Sequence, residues 1–365
     1  MSQPVEMTLF RRFADAPEGD RSARARFVLV LLALLLGVIT VFGIATGASD
    51  ASVSGVIESW FYGGTDGVLS ERDRLIIHEI RLPRIALGIL VGAALAVSGA
   101  VMQGLFRNPL ADPGIVGVAG GAGLGAISII VLGSTLLSPL VVLSGLYALP
   151  LAAFCGGLLT TLILYRVATR RGQTSIATML LAGIALAAFA GALSGVLIYL
   201  ADDRQLRDLT FWQLGSLGGA TWVKILAAGP IIVAALALTP LLSRGLNALA
   251  LGEASARHLG VPVQRVKVLA VLAVAGATGA SVAFTGGIGF IGIVVPHLLR
   301  LIIGPDHRYL LPASALLGAS LLLLADAVSR TIVAPAELPI GIVTAVFGAP
   351  FFLWVLLRRR GILDL

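Results

Sequence analysis

The sequence predicts an all-α polytopic membrane protein, because it is far more apolar and far less charged than a soluble domain. Hydrophobic residues make up 58% of the 365-residue chain, charged residues only 12%, and the mean hydropathy is +0.99. Soluble domains carry about 25% charged residues. The net charge of +7 does not indicate a nucleic-acid surface, since the basic residues stand in short loops and not in one patch. The single cysteine, Cys155, cannot form an internal disulfide.

The N-terminal region is predicted to be a cytoplasmic tail at 1–26, followed by one transmembrane domain at 27–365. The tail is polar and rich in arginine. The uncharged run 27–49 is the first predicted span. A cleaved signal peptide is the alternative, since basic residues precede this run and small residues follow it. Its apolar core exceeds the roughly 7–15 residues of a signal peptide, so we expect a retained anchor.

Four more spans are predicted in the first half of the chain. The uncharged stretch 85–106 would be about 33 Å long as a helix, enough to cross a hydrocarbon core of about 30 Å. Small residues recur along it and allow another helix to approach closely. The uncharged stretch 113–165 holds two spans with a break near Ser138 and Pro139. The fifth span is 172–201.

The second half of the chain is predicted to hold five spans. The sixth is 225–243, and the uncharged run 268–299 is divided by the glycine-rich segment 285–289 into a seventh and a short eighth. The ninth and tenth are 309–325 and 338–357. Most basic residues fall on the side that both termini share. The positive-inside rule therefore places both termini in the cytoplasm and favours ten spans over nine.

Six motifs occur in order along the chain: RLPR at 81–84, GAALAVSGAVMQGLFRNPLADPGIVG at 92–117, LGEASARHLG at 251–260, GFIGIVVPHLLR at 289–300, GPDHR at 304–308 and ELPIGIVTAVFGAP at 337–350. Together they resemble the FecCD-type permeases, the membrane subunits of ABC importers for iron-siderophores, haem and cobalamin. The resemblance implies the type II ABC importer permease fold with ten transmembrane helices per subunit. It also implies a homodimer with the pathway on its axis, two cytoplasmic ATP-binding subunits and a periplasmic binding protein.

Three arginines stand on the side that the positive-inside rule disfavours, which asks for a reason beyond orientation. They are Arg81, Arg84 and Arg330. The resemblance implies that they dock glutamates of the binding protein, and a guanidinium suits this role because it binds a carboxylate through two hydrogen bonds. The alternatives are simple snorkelling to the membrane interface and, for Arg330, an i, i+4 pair with Asp326 on the same helix.

The segment 251–263 predicts a short amphipathic helix that Gly260 and Pro262 end sharply. Its small residues leave a shallow surface that would fit a cleft in another protein. The alternative is a solvated loop that only connects two spans. The resemblance implies a coupling helix that receives motion from the ATP-binding subunit. The predicted contact residues are Gly252, Glu253, Ala254, Ser255, Ala256, Arg257, His258, Leu259 and Gly260.

The second and fifth spans have small, uncharged faces that could form the wall of a translocation pathway. A wall that binds its ligand poorly is sensible, because a transported ligand must leave as well as enter. The predicted wall residues are Gly92, Ala96, Gly99, Met179, Gly183 and Leu186.

No metal site is predicted, because the four histidines do not show the spacing of metal ligands. His297 lies near Arg300 in the eighth span and could be an axial ligand if the cargo is haem, but packing is the favoured interpretation. The glycines between 117 and 125 indicate helix packing, since no strand precedes them as in a phosphate-binding loop.

The chain is not predicted to be an enzyme. Neither of its two lysines, Lys224 and Lys267, lies in the Gly-Lys-Ser/Thr context of a Walker A loop. ATP would therefore bind to partner subunits, and no permanently bound cofactor is expected. An intramembrane hydrolase is disfavoured because Ser98 and Ser194 have no histidine nearby in the sequence. A proton- or sodium-driven transporter would need carboxylates at the membrane midplane, whereas the acids stand at the ends of the predicted spans.

The cargo is predicted to be haem, delivered by a periplasmic haem-binding protein to a permease in the bacterial inner membrane. The segments 209–222 (LTFWQLGSLGGATW) and 106–113 (FRNPLADP) look most like the haem-importing branch of the FecCD-type permeases. Ferric siderophores and then cobalamin are the alternatives, because siderophore permeases have close variants of these segments.

Overall fold

The structure, a computed structural model, describes residues 21–46, 71–170 and 173–358 and is helical over most of that length. The predicted tail at 1–20 lies outside the described residues. The described part contains a two-stranded antiparallel hairpin, β1 (Thr169–Arg170) and β2 (Gln173–Thr174). Its α-helices are α1 (Ser22–Ala45), α2 (Glu71–Phe106), α3 (Val118–Leu132), α4 (Ser138–Ala168), α5 (Ile176–Leu200), α6 (Asp203–Leu214), α7 (Trp222–Ala250), α8 (Glu253–His258), α9 (Val263–Thr285), α10 (Ile291–Ile303), α11 (His307–Thr331) and α12 (Ile340–Arg358).

Seven of the described helices are long and apolar enough to cross a membrane: α1, α2, α4, α5, α7, α9 and α11. Three shorter apolar helices, α3, α10 and α12, lie where the sequence predicts the remaining spans. The polytopic all-α class is therefore confirmed, and the count of ten spans stays a prediction.

Several helices extend beyond the predicted spans. The first helix begins at Ser22, inside the predicted tail, and the sixth runs from Trp222 to Ala250. The second begins at Glu71 and contains one π-helical stretch at Ile76–Arg81. Charged residues end an uncharged run in the sequence, but they do not end a helix, because arginine and glutamate are good helix formers.

Helix α2 lies at the centre of the bundle and packs against α7, α9, α10 and α11. Its most apolar window is 83% buried, compared with 17% for α1 and for α5. Apolar side chains exposed on the outer helices can face lipid at no cost. The central position of α2 therefore explains why the sequence there is rich in small residues.

Two glycines of α2 bring it into backbone contact with neighbouring helices. A Cβ built at Gly92 would lie 2.5 Å from the carbonyl oxygen of Gly318 in α11, and one at Gly99 would overlap the carbonyl group of Gly292 at the start of α10. Gln103, one turn further on, donates from Nε2 to the Gly292 carbonyl oxygen at 3.1 Å. These contacts set the spacing of α2, α10 and α11, as expected where small residues let membrane helices approach.

The break predicted after α2 is confirmed. Arg107 ends the helix in a left-handed conformation with φ 53°. The side chain of Asn108 accepts from the Leu110 amide at 2.9 Å, and that of Asp112 accepts from the Gly114 amide at 2.7 Å. These short Asn and Asp turns reverse the chain tightly and return it to the bundle as α3.

We predict that Gly99→Ala destabilises the protein, because the added methyl group has no room beside Gly292. Overpacking of this kind costs about 1–3 kcal/mol, and thermal unfolding in detergent measures it. The matched control is Gly191→Ala in α5, where a Cβ meets nothing within 4 Å and alanine gains up to about 1 kcal/mol over glycine in a helix. Equal unfolding temperatures for the two variants would contradict the packing described for α2.

Candidate functional site

The predicted docking and coupling residues lie at opposite ends of the buried helix α2. Arg81 and Arg84 stand in the N-terminal part of α2. Arg107 follows the last turn of α2, and Gly252 lies beside it, since a Cβ at Gly252 would be 3.9 Å from Arg107 Nη1. At 1.5 Å per residue, Arg84 and Arg107 are about 35 Å apart along the helix. One rigid element therefore connects the two candidate sites.

At the first end, Arg81, Arg84 and Arg330 form an arginine cluster with Asp326 and Glu337. Asp326 of α11 is only 1% exposed and accepts from Arg84 Nε at 2.9 and 3.1 Å. Its Oδ2 is also 3.1 Å from Arg330 Nε. Arg84 Nη1 reaches Glu337 Oε1 at 2.7 Å. Arg84 thus joins α2 both to α11 and to the segment that leads into α12.

The other two arginines of the cluster bind the C-terminal end of α1. Arg81 Nη1 donates to the carbonyl oxygen of Ile44 at 2.6 Å, and Arg330 Nη1 donates to that of Thr46 at 3.2 Å. The last carbonyl groups of a helix have no partner within the helix, and the partial negative charge there attracts cations. The cluster therefore holds three guanidinium groups with two carboxylates and one helix end.

The arginine cluster is buried, which the sequence did not indicate. Arg81, Arg84 and Arg330 are each at most 5% exposed, whereas the Glu337 side chain is 42% exposed. The i, i+4 pair of Arg330 with Asp326 is confirmed. Docking of a binding protein stays a prediction, and such docking would have to reach guanidinium groups that already bind carboxylates of this chain.

At the other end of α2, the predicted coupling segment forms a helix shorter than the predicted 251–263. Helix α8 covers Glu253–His258, and Gly252 precedes it with φ 105°. Ala256 is fully buried and fixes the helix to the bundle, while the flanking Leu251 and Leu259 are 68% and 65% exposed. The exposed side thus combines small helical residues with an apolar residue at each end.

Acidic and basic side chains attach α8 to its neighbours. Glu253 Oε1 lies 2.7 Å from Lys267 Nζ in α9, and Glu253 Oε2 lies 3.8 Å from Arg257 Nη2 one turn on. The Lys267 side chain is almost entirely buried, whereas that of Arg257 is 54% exposed. Lys267 is therefore the residue that anchors the short helix to the bundle.

The GPDHR motif begins α11 and has a local structural role. Asp306 accepts from the Arg308 amide at 3.0 Å and from Asn247 Nδ2 at 2.7 Å. Burial acts to raise the pKa of Asp306, but hydrogen bonds from Arg308 and Asn247 outweigh it and lower the pKa to about 2. The carboxylate stays ionised at neutral pH and connects the end of α7 to the start of α11.

The predicted pathway residues of the second span lie in the packing contacts of α2. Gly92 and Gly99 lie against the backbones of α11 and α10, and Ala96 is fully buried. Residues that touch other helices of the same chain at backbone distance leave no space for a ligand. Their small size serves helix packing.

The fifth-span residues also lie on the inner side of their helix. Met179 and Gly183 are buried and Leu186 is partly buried, whereas Leu181 and Ile184 on the opposite side are 70% and 66% exposed. The predicted face of this helix therefore packs inside the subunit. The helical spacing in the sequence identified one face of this helix, but it did not show whether that face points into the subunit or away from it.

The histidine of the eighth span is a packing residue in this structure. His297 is buried, and its ring meets the edge of Phe351 with centroids 6.2 Å apart. Arg300 donates to Gln103 Oε1 of α2. Among the described residues, no group of three or more histidine, cysteine, aspartate or glutamate side chains could hold a metal ion.

Sequence reasoning missed the partners of Arg84 and the role of Lys267. Asp326 and Glu337 lie 242 and 253 positions from Arg84, so no local spacing pairs them. The available signal was charge: acids at the ends of apolar helices require a cation nearby when buried. The sequence feature that singled out Lys267 was the rarity of lysine, since the chain has only two lysines.

Comparison with known proteins gives a consistent result. The model of the FecCD transport family matches residues 33–358. The hemin transport system permease protein HmuU of Yersinia pestis is 50% identical over 282 residues, 77% of this chain and 83% of the relative. The vitamin B12 import system permease protein BtuC of Shigella boydii is 46% identical over 91% of this chain and 94% of its own. A solved inward-facing structure of a metal-chelate type ABC transporter matches with a TM-score of 0.78 and 31% identity, over 91% of this chain and 99% of that one.

We predict that Asp326→Asn destabilises the protein by about 3–5 kcal/mol, because it removes the buried carboxylate that the guanidinium groups of Arg84 and Arg330 share. Thermal unfolding in detergent measures the effect. Glu337→Gln is the matched control: its half-exposed side chain keeps a hydrogen-bond acceptor, and an exposed ion pair contributes only about 0–1 kcal/mol. The interpretation of the arginine cluster as a buried structural network would be wrong if both variants unfolded like the wild type.

Proposed function

This chain belongs to the FecCD transport family, and on that premise we propose that it forms the translocation pathway of an importer that takes up haem across the bacterial inner membrane. At the level of class, it is an ABC importer permease, a multi-pass membrane protein whose energy comes from ATP hydrolysed by partner subunits. The proposal adds the cargo, the homodimer, the docking surfaces and the orientation with both termini in the cytoplasm.

Haem is favoured as cargo by the 50% identity to a hemin permease. Cobalamin is the second candidate, because a vitamin B12 permease is 46% identical over a larger share of this chain. Ferric siderophores are the third. Permeases of this fold transport several kinds of cargo, and the periplasmic binding protein that works with each permease would select the cargo.

The observation that carries the mechanism is the pair of sites at the two ends of α2. We propose that a periplasmic haem-binding protein docks at the arginine cluster and that two ATP-binding subunits receive helix α8, one from each copy of a homodimer. Small helical residues between the exposed Leu251 and Leu259 suit insertion into a cleft. ATP binding and hydrolysis would move α8, and the bundle would open alternately to each side.

Docking at the arginine cluster would go through its exposed member. Glu337 is the most accessible of the five side chains and shares Arg84 with the buried Asp326. A glutamate of the binding protein that approaches Glu337 could take over part of its bonding to Arg84. Charge-assisted bonds between guanidinium and carboxylate can be exchanged in this way without leaving the arginine unpaired.

An ion-driven mechanism is less favoured, because the buried carboxylate in the described membrane helices is already occupied. Asp326 lies between Arg84 and Arg330 and is not available to carry a proton or sodium ion. An intramembrane carboxylate with two arginine partners is better explained as structural than as a coupling-ion site.

We predict that proteoliposomes containing this chain with its ATP-binding subunits take up haem only under two conditions. ATP must be present on the side of the membrane where the ATP-binding subunits lie, and the binding protein must be present on the other side. Heavy-isotope-labelled haem, cobalamin and a ferric siderophore are compared in parallel. Uptake of cobalamin but not of haem would agree with an ABC importer permease and would contradict haem as its cargo. Uptake without ATP that a proton or sodium ionophore abolishes would contradict the importer.

We also predict that Leu259→Asp weakens binding of the ATP-binding subunit about tenfold or more. Burial of a leucine contributes about 1.5–3 kcal/mol, and 1.4 kcal/mol corresponds to a factor of ten in affinity. The dissociation constant is measured with the detergent-purified permease. The control is Leu146→Asp, which also changes an exposed leucine but stands in the N-terminal part of α4, at the opposite end of that helix from the hairpin. Similar losses for both variants would contradict α8 as the contact.

A further inference from the structure

Lys267 joins three elements of the bundle through one buried ammonium group. It stands in the first turns of α9 with its side chain 4% exposed, and Nζ lies 2.7 Å from Glu253 Oε1 of α8. The same Nζ donates to the backbone carbonyl oxygen of Thr174 in β2 at 2.7 Å. One cation thus bridges α8 and the hairpin that separates α4 from α5.

A second side chain of α9 strengthens the connection to the hairpin. Gln264 Oε1 accepts from the Thr174 amide at 3.1 Å, and Gln264 Nε2 donates to Thr174 Oγ1 at 2.6 Å. Gln264 Nε2 also lies 3.3 Å from the Tyr165 hydroxyl near the end of α4. Thr174 is buried, and its hydroxyl group also lies 2.9 Å from that of Thr169 in β1. The hairpin is therefore fixed to α9 by both Gln264 and Lys267.

The hairpin leads directly into α5. Ser175 follows Thr174 and caps α5 by accepting from the Thr178 amide at 3.3 Å. Only Ser175 lies between Thr174, whose carbonyl group accepts from Lys267, and Ile176, the first residue of α5. Helix α5 is exposed and uncharged along most of its length, so it is less constrained by packing than α2 or α9. A displacement of the hairpin would be passed directly to α5.

We propose that Lys267 is a positioning residue that passes displacement of α8 to α5 through Glu253 and the Thr174 carbonyl group. This inference rests on the proposed function, because the displacement would come from the ATP-binding subunit. Lys267 is itself part of α9, but α9 is buried and packs against α2, so it resists displacement. When α8 moves, α5 therefore shifts while α9 stays in place. The ion pair between Glu253 and Lys267 is the contact that transmits the movement.

Distances between spin labels on the two copies in the assembled complex test this route. Leu181→Cys reports on α5 and Leu272→Cys on α9; both leucines are exposed, and Cys155→Ser removes the native thiol. Distances are measured with and without ATP in complexes of the full chain, the ATP-binding subunits and the binding protein. The test variant is Lys267→Met, and the matched control is Arg265→Met, which removes an exposed positive charge two residues earlier in the same helix.

The proposal predicts an ATP-dependent change at position 181 in the wild type and in Arg265→Met, and its loss in Lys267→Met. Transport per ATP hydrolysed falls in the same variant, which a general loss of folded protein would not produce. If Lys267→Met does not assemble, Glu253→Gln is used, and a reduced change at position 181 is expected because a neutral amide holds the ammonium group less strongly.

An unaltered ATP-dependent change at position 181 in Lys267→Met, or in Glu253→Gln, would overturn the role of Lys267. Equal losses in Lys267→Met and Arg265→Met would also overturn it. A wild type that shows neither uptake nor any ATP-dependent change in distance would instead contradict the proposed function. The two failures are therefore distinguished by the wild-type measurement alone.

Discussion

Burial of α2 from Arg81 to Phe106 is the constraint on which the rest of this structure depends. A helix enclosed on all sides can hold only residues that neighbouring backbones tolerate, which explains the contacts of Gly92 with α11 and of Gly99 with α10. It also means that Arg81 and Arg84, where the buried part of the helix begins, are almost excluded from water and must find partners inside the protein. The glycine contacts and the arginine cluster are thus two results of the same enclosure.

The side chains of the arginine cluster both neutralise a buried carboxylate and bind unpaired backbone carbonyl groups. Arg84 and Arg330 balance the charge of Asp326, and Arg81 and Arg330 supply hydrogen bonds to the last carbonyl groups of α1. Unsatisfied carbonyl groups and lone charges are both costly away from water. The cluster consequently joins α1, α2 and α11 at one end, and Glu337 is its exposed member.

The sequence was sufficient to predict the class, most membrane helices and the breaks between them, because uncharged runs and the segments that separate them are local features. It could not predict the pairing of Arg84 with Asp326 and Glu337, which are brought together only by the tertiary fold. The predicted pathway residues of the second span lie in packing contacts, because a small residue such as Gly99 permits either an open wall or a close backbone contact, and composition does not distinguish them. The helix in the segment 251–263 was predicted correctly but is shorter, since Gly252 and Gly260, both with positive φ, confine it.

The central claim is that the two ends of α2 serve two different partners, and site-specific photo-crosslinking in the assembled complex tests it most directly. A photoreactive amino acid is placed at Leu259, beside α8, or at Glu337, in the arginine cluster. The account predicts that position 259 forms adducts with the ATP-binding subunit alone and position 337 with the binding protein alone. Adducts of either position with the other partner, or of both positions with the same partner, would contradict it.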